Sequence, residues 1–233
     1  MIPQKMIFVH KVNSINFCVE ITGKIWYTFH IICSLFLKIR EVIFLYIKNM
    51  YLHLRTILKH KKEVFKLCCV AGIPFQGIIH DMSKFSPTEF FESVKYFSGD
   101  RSPIMNCKDV NGYSLAWQHH KGRNKHHPEY WVDKLYSGGV PIKIPYKYSV
   151  EMACDIIAAS KTYNGKNFNE TMPYEYWVNK LKPTTLIHPA NQKFIRTLLR
   201  DYSKYGEKAL NMKHTKKLYN KISKSGEGIS WKN

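Results

Sequence analysis

Apolar positions along the chain recur mainly at steps of three and four and never sustain a period of two, so the pattern predicts helices packed on helices. The first block is the most apolar. Ile25, Phe29, Ile32, Phe36, Ile39 and Ile43 fall on one side of a helix, and this stripe is expected to pack against other apolar surface. Ile25 to Leu37 is almost free of charge, but Lys38, Arg40 and Glu41 interrupt the run before Val42–Ile47, at the depth where a bilayer centre would lie. A packing helix is therefore expected, with an interfacial or membrane-anchoring role for 25–47 as the alternative.

A second helix is predicted from about Tyr51 to Ala71, with Leu54, Ile57, Val64, Leu67, Cys68 and Ala71 on its apolar face and Gly72 and Pro74 ending it. Ser86-Pro-Thr-Glu89 resembles a capping box and predicts the start of another. Further helices are expected at Leu115–His120, at about Ser149–Ser160, and from Ile187 to Leu199 and beyond. Glu129–Leu135 and Glu175–Leu181 match at six of seven positions, and both are expected to be helix starts whose aromatic pair wedges into a core. The segments divide into an apolar helical extension at 1–48, a helical domain at 49–205 and a basic tail at 206–233, and the fold class is all-α.

Composition narrows the picture. The 13 Phe, 15 Tyr and 5 Trp supply more apolar mass than a disordered chain carries, so a sizeable core is expected. The net charge of +19 favours acidic partners, among them nucleic acid, nucleotides and anionic lipid. Charge is uneven. Only Glu20, Glu41 and Glu63 are acidic in the first 80 residues, and eight Lys between 204 and 232 face only Glu207 and Glu227. Six cysteines (Cys18, Cys33, Cys68, Cys69, Cys107 and Cys154) form no CxxC pair, so a reducing, intracellular location is expected and neither a zinc knuckle nor a disulfide framework is indicated. Met1–Asn16 lacks the layout of a secretory signal.

Candidate chemistry lies in the histidines. Four of the eleven, His119, His120, His126 and His127, fall within nine residues. His60 lies on the buried stripe of its helix, and His80-Asp81 follows the apolar Ile78-Ile79, so an imidazole and a carboxylate are expected together at the inner end of a core segment. Glu151 and Asp155 stand one turn apart on a mostly apolar helix, where unpaired carboxylates are costly. The order H…HD…H…D combines imidazole with carboxylate, a donor mix that suits Mn, Co, Ni, Zn or Fe.

These residues resemble a family. His80-Asp-Met-Ser-Lys-Phe85 with Glu89-Phe90, Trp117 with His120, Asn124-Lys-His-His-Pro128, Tyr130-Trp131, and Glu151-Met152 with Asp155 look like an uncharacterised family of bacterial, phage and large-virus proteins, over roughly His53 to Arg200. The ordered His, His-Asp and Asp resemble, more remotely, the HD superfamily of helical bundles that hold one or two divalent metals and mostly hydrolyse phosphate esters.

The HD resemblance implies His60, His80, Asp81 and Asp155 as ligands of a principal metal, with His120, His126 or His127 serving a second. It implies hydrolysis of a nucleotide or related phosphomonoester by metal-bound hydroxide, since an ion lowers the pKa of its water from about 15.7 towards 7. Asp81 and Lys84 would act at the reaction centre. Lys84, Lys121 and Arg123 would contact phosphoryl oxygens, and Asn124 would contact substrate or fix the loop. Glu89 and Glu151 would support the ligands, although a capping role explains Glu89 equally well. The alternatives are a basic nucleic-acid-binding protein with a structural or vestigial metal site, a di-iron oxygenase of HD type, and a membrane-attached viral factor using Ile25–Ile47.

Overall fold

A computed structural model describes residues 4–133 and 138–225, with the side chains of 26–27, 29–133 and 138–224. The side chains of Cys18 and of Ile25 in the apolar stripe, Lys134-Leu135 of the first echo, and the tail beyond 225 lie outside the described residues. The chain divides into two units, 1–48 and 49–233.

The first unit is helix throughout its described length, part of α1 (Gln4–Val70). Its apolar stripe is not buried: Phe29, Ile32, Phe36, Ile39 and Ile43 are between 53 % and 71 % exposed. Within this unit nothing covers the stripe, and the reason is topological. A lone helix has no second element within its own unit to cover a face. Among the described residues, no helix is long and apolar enough to cross a membrane. The sequence pattern also suggested two helices here, but Lys48-Asn49-Met50 contains neither Gly nor Pro, and α1 runs through it.

Among the described residues the second unit is all-α apart from one short ribbon. From 49 onward α1 buries Ile57, Val64, Leu67 and Cys68, Ala71 just past its end is buried too, and Leu54 is exposed. The helix ends in a Schellman motif: the Ile73 N–H donates to the Cys68 carbonyl (2.9 Å) and the Gly72 N–H to that of Cys69 (3.1 Å), with Gly72 at φ 72°. Then follow α2 (Pro74–Ile79), a 3-10 turn at Met82–Phe85, α3 (Pro87–Lys95), α4 (Pro103–Asn111) and α5 (Leu115–Lys121). Strands β1 (Val132–Asp133) and β2 (Val140–Pro141) pair antiparallel. Next come α6 (Tyr146–Asn164), α7 (Met172–Tyr176), a π-turn at Trp177–Leu181, α8 (Lys182–Thr184), α9 (Pro189–Tyr205) and α10 (Met212–Ser225).

The core joins Val64, Leu67 and Cys68 of α1 to Val150, Ala153, Cys154 and Ile157 of α6 and to Phe194, Ile195, Leu198 and Leu199 of α9. Residues from 206 onward belong to it too: Leu210 is fully buried and Ile222 is 6 % exposed. The segment read as a basic tail therefore contains a packed helix as far as 225. The two echo segments differ in structure. The first is a 3-10 turn leading into β1, and the second spans the end of α7 and the π-turn, so identical aromatic pairs did not dictate a common backbone.

Two local devices set the site. Asn191 clamps the chain before α6, accepting from the Ile144 N–H (2.9 Å) and donating to the Ile144 carbonyl (2.9 Å) and to Ser149 Oγ (2.8 Å). Gly77 lets α2 lie directly on α1, since a Cβ there would meet Phe65 Cα at 2.8 Å and Cys68 Cβ at 3.0 Å. Gly77→Ala is expected to destabilise the fold by roughly 1–3 kcal/mol through overpacking against backbone. Thermal unfolding monitored by circular dichroism checks this, and an unchanged Tm would show that α2 is free to shift.

Candidate metal centre

His80 and Asp81 do not lie on a helix. Residue 80 closes α2 with extended backbone (φ −50°, ψ 128°), and Asp81 is left-handed (φ 53°). Among the described residues it is the one non-glycine with positive φ, a conformation that is strained for most side chains and concentrates at functional sites. The turn brings both side chains inward, with His80 1 % and Asp81 3 % exposed. Ile78 and Ile79, expected in the core, are 55 % and 43 % exposed, while Gln76 and Gly77 are the buried members of α2.

Asp81 presents its two oxygens to two groups of donors. On one side are His60 of α1, His80 and Asp155 of α6. His60 Nε2 lies 3.0 Å from Asp155 Oδ1 and 4.0 Å from Asp81 Oδ2, while His80 Nε2 lies 3.3 Å from Asp81 Oδ2, 3.5 Å from Asp155 Oδ1 and 3.4 Å from His60 Nε2. On the other side are His120 of α5 and His126 and His127 of the loop after it. His120 Nε2 and His126 Nε2 lie 3.3 Å and 3.4 Å from Asp81 Oδ1, and His127 Nε2 lies 2.9 Å from His120 Nε2. Within each set the donor atoms all fall within 4.8 Å of one another, and the buried His/Asp/Glu cluster could hold a metal ion.

Donors placed about 2.0–2.2 Å from one ion stand roughly 3.0–3.5 Å apart, and all but two of these separations fall there, His60–Asp81 being wider at 4.0 Å and His120–His127 slightly closer at 2.9 Å. Two further observations favour a cation. Asp81 Oδ1 and His126 Nε2 are buried without a hydrogen-bond partner among the described residues. In addition, His80 Nδ1 lies 3.0 Å from Glu151 Oε1, so an N–H donated there leaves the Nε2 lone pair facing carboxylate oxygens, which repel it unless a proton or metal intervenes.

Carboxylates orient the imidazoles from behind. Glu151 Oε1 faces the Nδ1 of both His80 (3.0 Å) and His126 (3.2 Å), and its Oε2 accepts from Gln76 Nε2 (3.0 Å). His80, His126 and Glu151 also satisfy distance criteria for a metal group. These separations are ordinary N–H···O lengths and Gln76 occupies the other oxygen, so orientation is the better account of Glu151. Glu89 does the same on α3, facing His119 Nδ1 (2.6 Å) and His120 Nδ1 (2.7 Å). Its side chain therefore does not close a capping box, although Ser86 Oγ accepts from the Glu89 N–H at 3.4 Å.

Electrostatics follow the geometry. Burial disfavours the His80 imidazolium, but Asp81, Asp155 and Glu151 outweigh it and hold its pKa well above the ordinary value. Burial likewise opposes ionisation of Asp81 and Asp155, yet the charges of His80 and Lys84 hold Asp81, and hydrogen bonds from His60 and His80 hold Asp155, far below the usual carboxylate range. Glu151, despite burial, is lowered to about 2 by His126 and His80. Burial pushes His60 down, and burial with the charges of His126 and His120 pushes His127 down, which leaves both neutral. Without a metal, a proton on His80 offsets part of the negative charge that a cation would otherwise balance.

Lys84 Nζ lies 2.6 Å from Asp81 Oδ2 with its side chain 28 % exposed, and Asp81 and Asp155 overcome burial to keep it charged. Asn124 is buried, donating to Ser83 Oγ (2.7 Å) and to the His120 carbonyl (2.8 Å), which pins the histidine loop. Arg123 is exposed and reaches the His119 carbonyl at 3.4 Å, and Lys121 is half-buried. Trp117 stacks on His120 with ring centroids 6.0 Å apart. Sequence reasoning missed Gln76 and the bond from His119 to Glu89. It also missed Tyr163, whose phenol stands in the fields of Lys84 and Asp155. None of the three carries a spacing signal.

No curated protein and no solved structure matches the chain. The model of a family of unknown function, DUF5662, matches residues 49–220, which include every donor described above, and the chain belongs to that family.

Proposed function

We propose that residues 49–220 form an HD-like, metal-dependent hydrolase of phosphate esters, acting on a nucleotide or related phosphomonoester. The observation that carries this reading is the division of Asp81 between two donor sets, with Oδ2 towards His60, His80 and Asp155 and Oδ1 towards His120, His126 and His127. Divalent ions held there, drawn from Mn, Co, Ni, Zn or Fe, would supply an activated water and neutralise phosphoryl charge. The chain's own groups do the rest. Glu151 and Glu89 hold three of the candidate donor imidazoles, and His119 beside them, in orientation, and Asn124 anchors the loop that carries two of the histidines. Lys84, charged and partly exposed beside Asp81, is placed to receive an anionic oxygen of the ester.

The same donors can serve iron, so an HD-type oxygenase is the second reading, and metal content separates the two. Protein loaded with Mn or Co is expected to release phosphate from p-nitrophenyl phosphate or from a nucleotide in a panel, and His80→Ala is expected to abolish release together with about one equivalent of metal. Metal-loaded protein that releases no phosphate from any of these esters would sink the hydrolase reading. Bound iron with oxygen consumption would establish the other.

A further inference from the structure

The exposed face of α9 carries a feature that the metal centre does not use. Lys193, Arg196 and Arg200, with Lys182 from α8, line a groove of about 320 Å³ whose remaining walls are Gln192 and Thr197. No acid lines it. Among the described residues, Lys182, Lys193 and Arg196 have no carboxylate within ion-pair distance, and Arg200 has only Asp201 at 3.9 Å, a carboxylate that also faces His214 at 3.1 Å.

The arrangement follows from the helix period. Ala190, Phe194, Ile195, Leu198, Leu199 and Tyr202 are the buried side of α9, so positions 193, 196, 200 and 204 come to the opposite side in one line. At 1.5 Å rise per residue, Lys193 and Lys204 are separated by about 16.5 Å along the axis, with Arg196 and Arg200 between them. Like charges so placed repel one another, and in a concave surface lined by hydrogen-bonding side chains the partner that relieves this is an anion. A line of four cations suits a linear polyanion better than a lone phosphate. Two of the four are arginines, whose planar fork matches phosphate oxygens. The chain's +19 charge would steer such a partner towards it.

We propose that this face of α9 binds the phosphodiester backbone of a nucleic acid, without sequence readout. The site lies apart from the metal centre in composition and elements, so it stands or falls independently of the hydrolase reading.

The test is fluorescence anisotropy with a labelled single-stranded oligonucleotide and its duplex, titrated over a range of salt concentrations. The wild-type chain is expected to bind one or both, with affinity falling steeply as salt rises. Arg196→Glu with Arg200→Glu should weaken binding by more than about tenfold at low salt. It should also flatten the logarithmic salt slope by roughly 1.4, at about 0.7 for each phosphate of a single strand that the protein no longer neutralises. The far-UV circular dichroism spectrum and Tm serve as the fold control and should be unchanged. Lys62→Glu with Lys95→Glu carries the same change in net charge elsewhere. Equal weakening by this control pair would overturn the proposal, because binding would then report net charge alone. It would also fail if no oligonucleotide bound at low salt, or if phosphatidylserine vesicles bound through the same arginines while oligonucleotides did not.

Discussion

Asp81→Asn is expected to remove metal from both donor sets at once, whereas substitutions in either set alone leave about one equivalent bound. Asparagine preserves the side-chain shape and is among the residues that best tolerate the left-handed backbone at position 81, so the fold should survive. What it loses is the negative charge and one of the two oxygens that face the separate sets. His60→Ala should empty only the first set, and His127→Ala only the second. For Asp81→Asn, metal affinity should fall by more than about a hundredfold, beyond the 10–100-fold typical of a residue that merely orients a ligand. Elemental analysis of protein dialysed against a limiting metal buffer reads the stoichiometry directly. If Asp81→Asn keeps a full equivalent of metal, Asp81 does not join the two sets.

Chelation offers an independent check on the same geometry. An ion that binds the folded chain and not the unfolded one adds about 2.7 kcal/mol when present at a hundred times its dissociation constant. Removing it from the wild type should therefore lower Tm by several degrees, and Asp81→Asn should show almost none of this response.

The clustering of the candidate donors was legible because these groups violate the ordinary placement of polar residues. His60 falls on an apolar stripe, Glu151 and Asp155 fall on an apolar helix, and His120 and His126 belong to a dense cluster; the structure buries His60, His120, His126 and Glu151 and brings all of these groups to one place. What the pattern missed is backbone conformation. Read as part of a helix, His80 and Asp81 diverge by about 100°, and only the left-handed turn at Asp81 reconciles adjacency with convergence. No periodicity reports a positive φ at a non-glycine residue. The outward-facing Ile78 and Ile79 misled for a related reason. Gly77 determines which side of α2 meets α1, and a small residue is invisible to a hydrophobic pattern. The exposed stripe in the first unit shows the limit from the other direction, since amphipathic spacing specifies a face without specifying what covers it.

On the proposed two-metal reading, Glu151→Gln is expected to weaken metal binding in both donor sets, because its carboxylate orients imidazoles of each without belonging to either. Its Oε1 faces the Nδ1 of His80, which belongs to the first set, and of His126, which belongs to the second. A carboxylate at that point raises the basicity of each Nε2 and fixes each ring with a charge-assisted bond. Glutamine can still present one oxygen to both rings, and Gln76 can turn its own amide to accept from the new NH2, so the hydrogen bonds are recoverable. The charge is not. Affinity should therefore fall by about 10–100-fold at both sites, with the fold retained. Glu89→Gln is the matched comparison. It faces His120 within the second set and His119 outside either, so only the second metal should weaken. Calorimetric titration with Mn resolves the two affinities in each variant. Equal losses in Glu89→Gln and Glu151→Gln would mean that the two ions do not divide the histidines as Asp81 divides its oxygens.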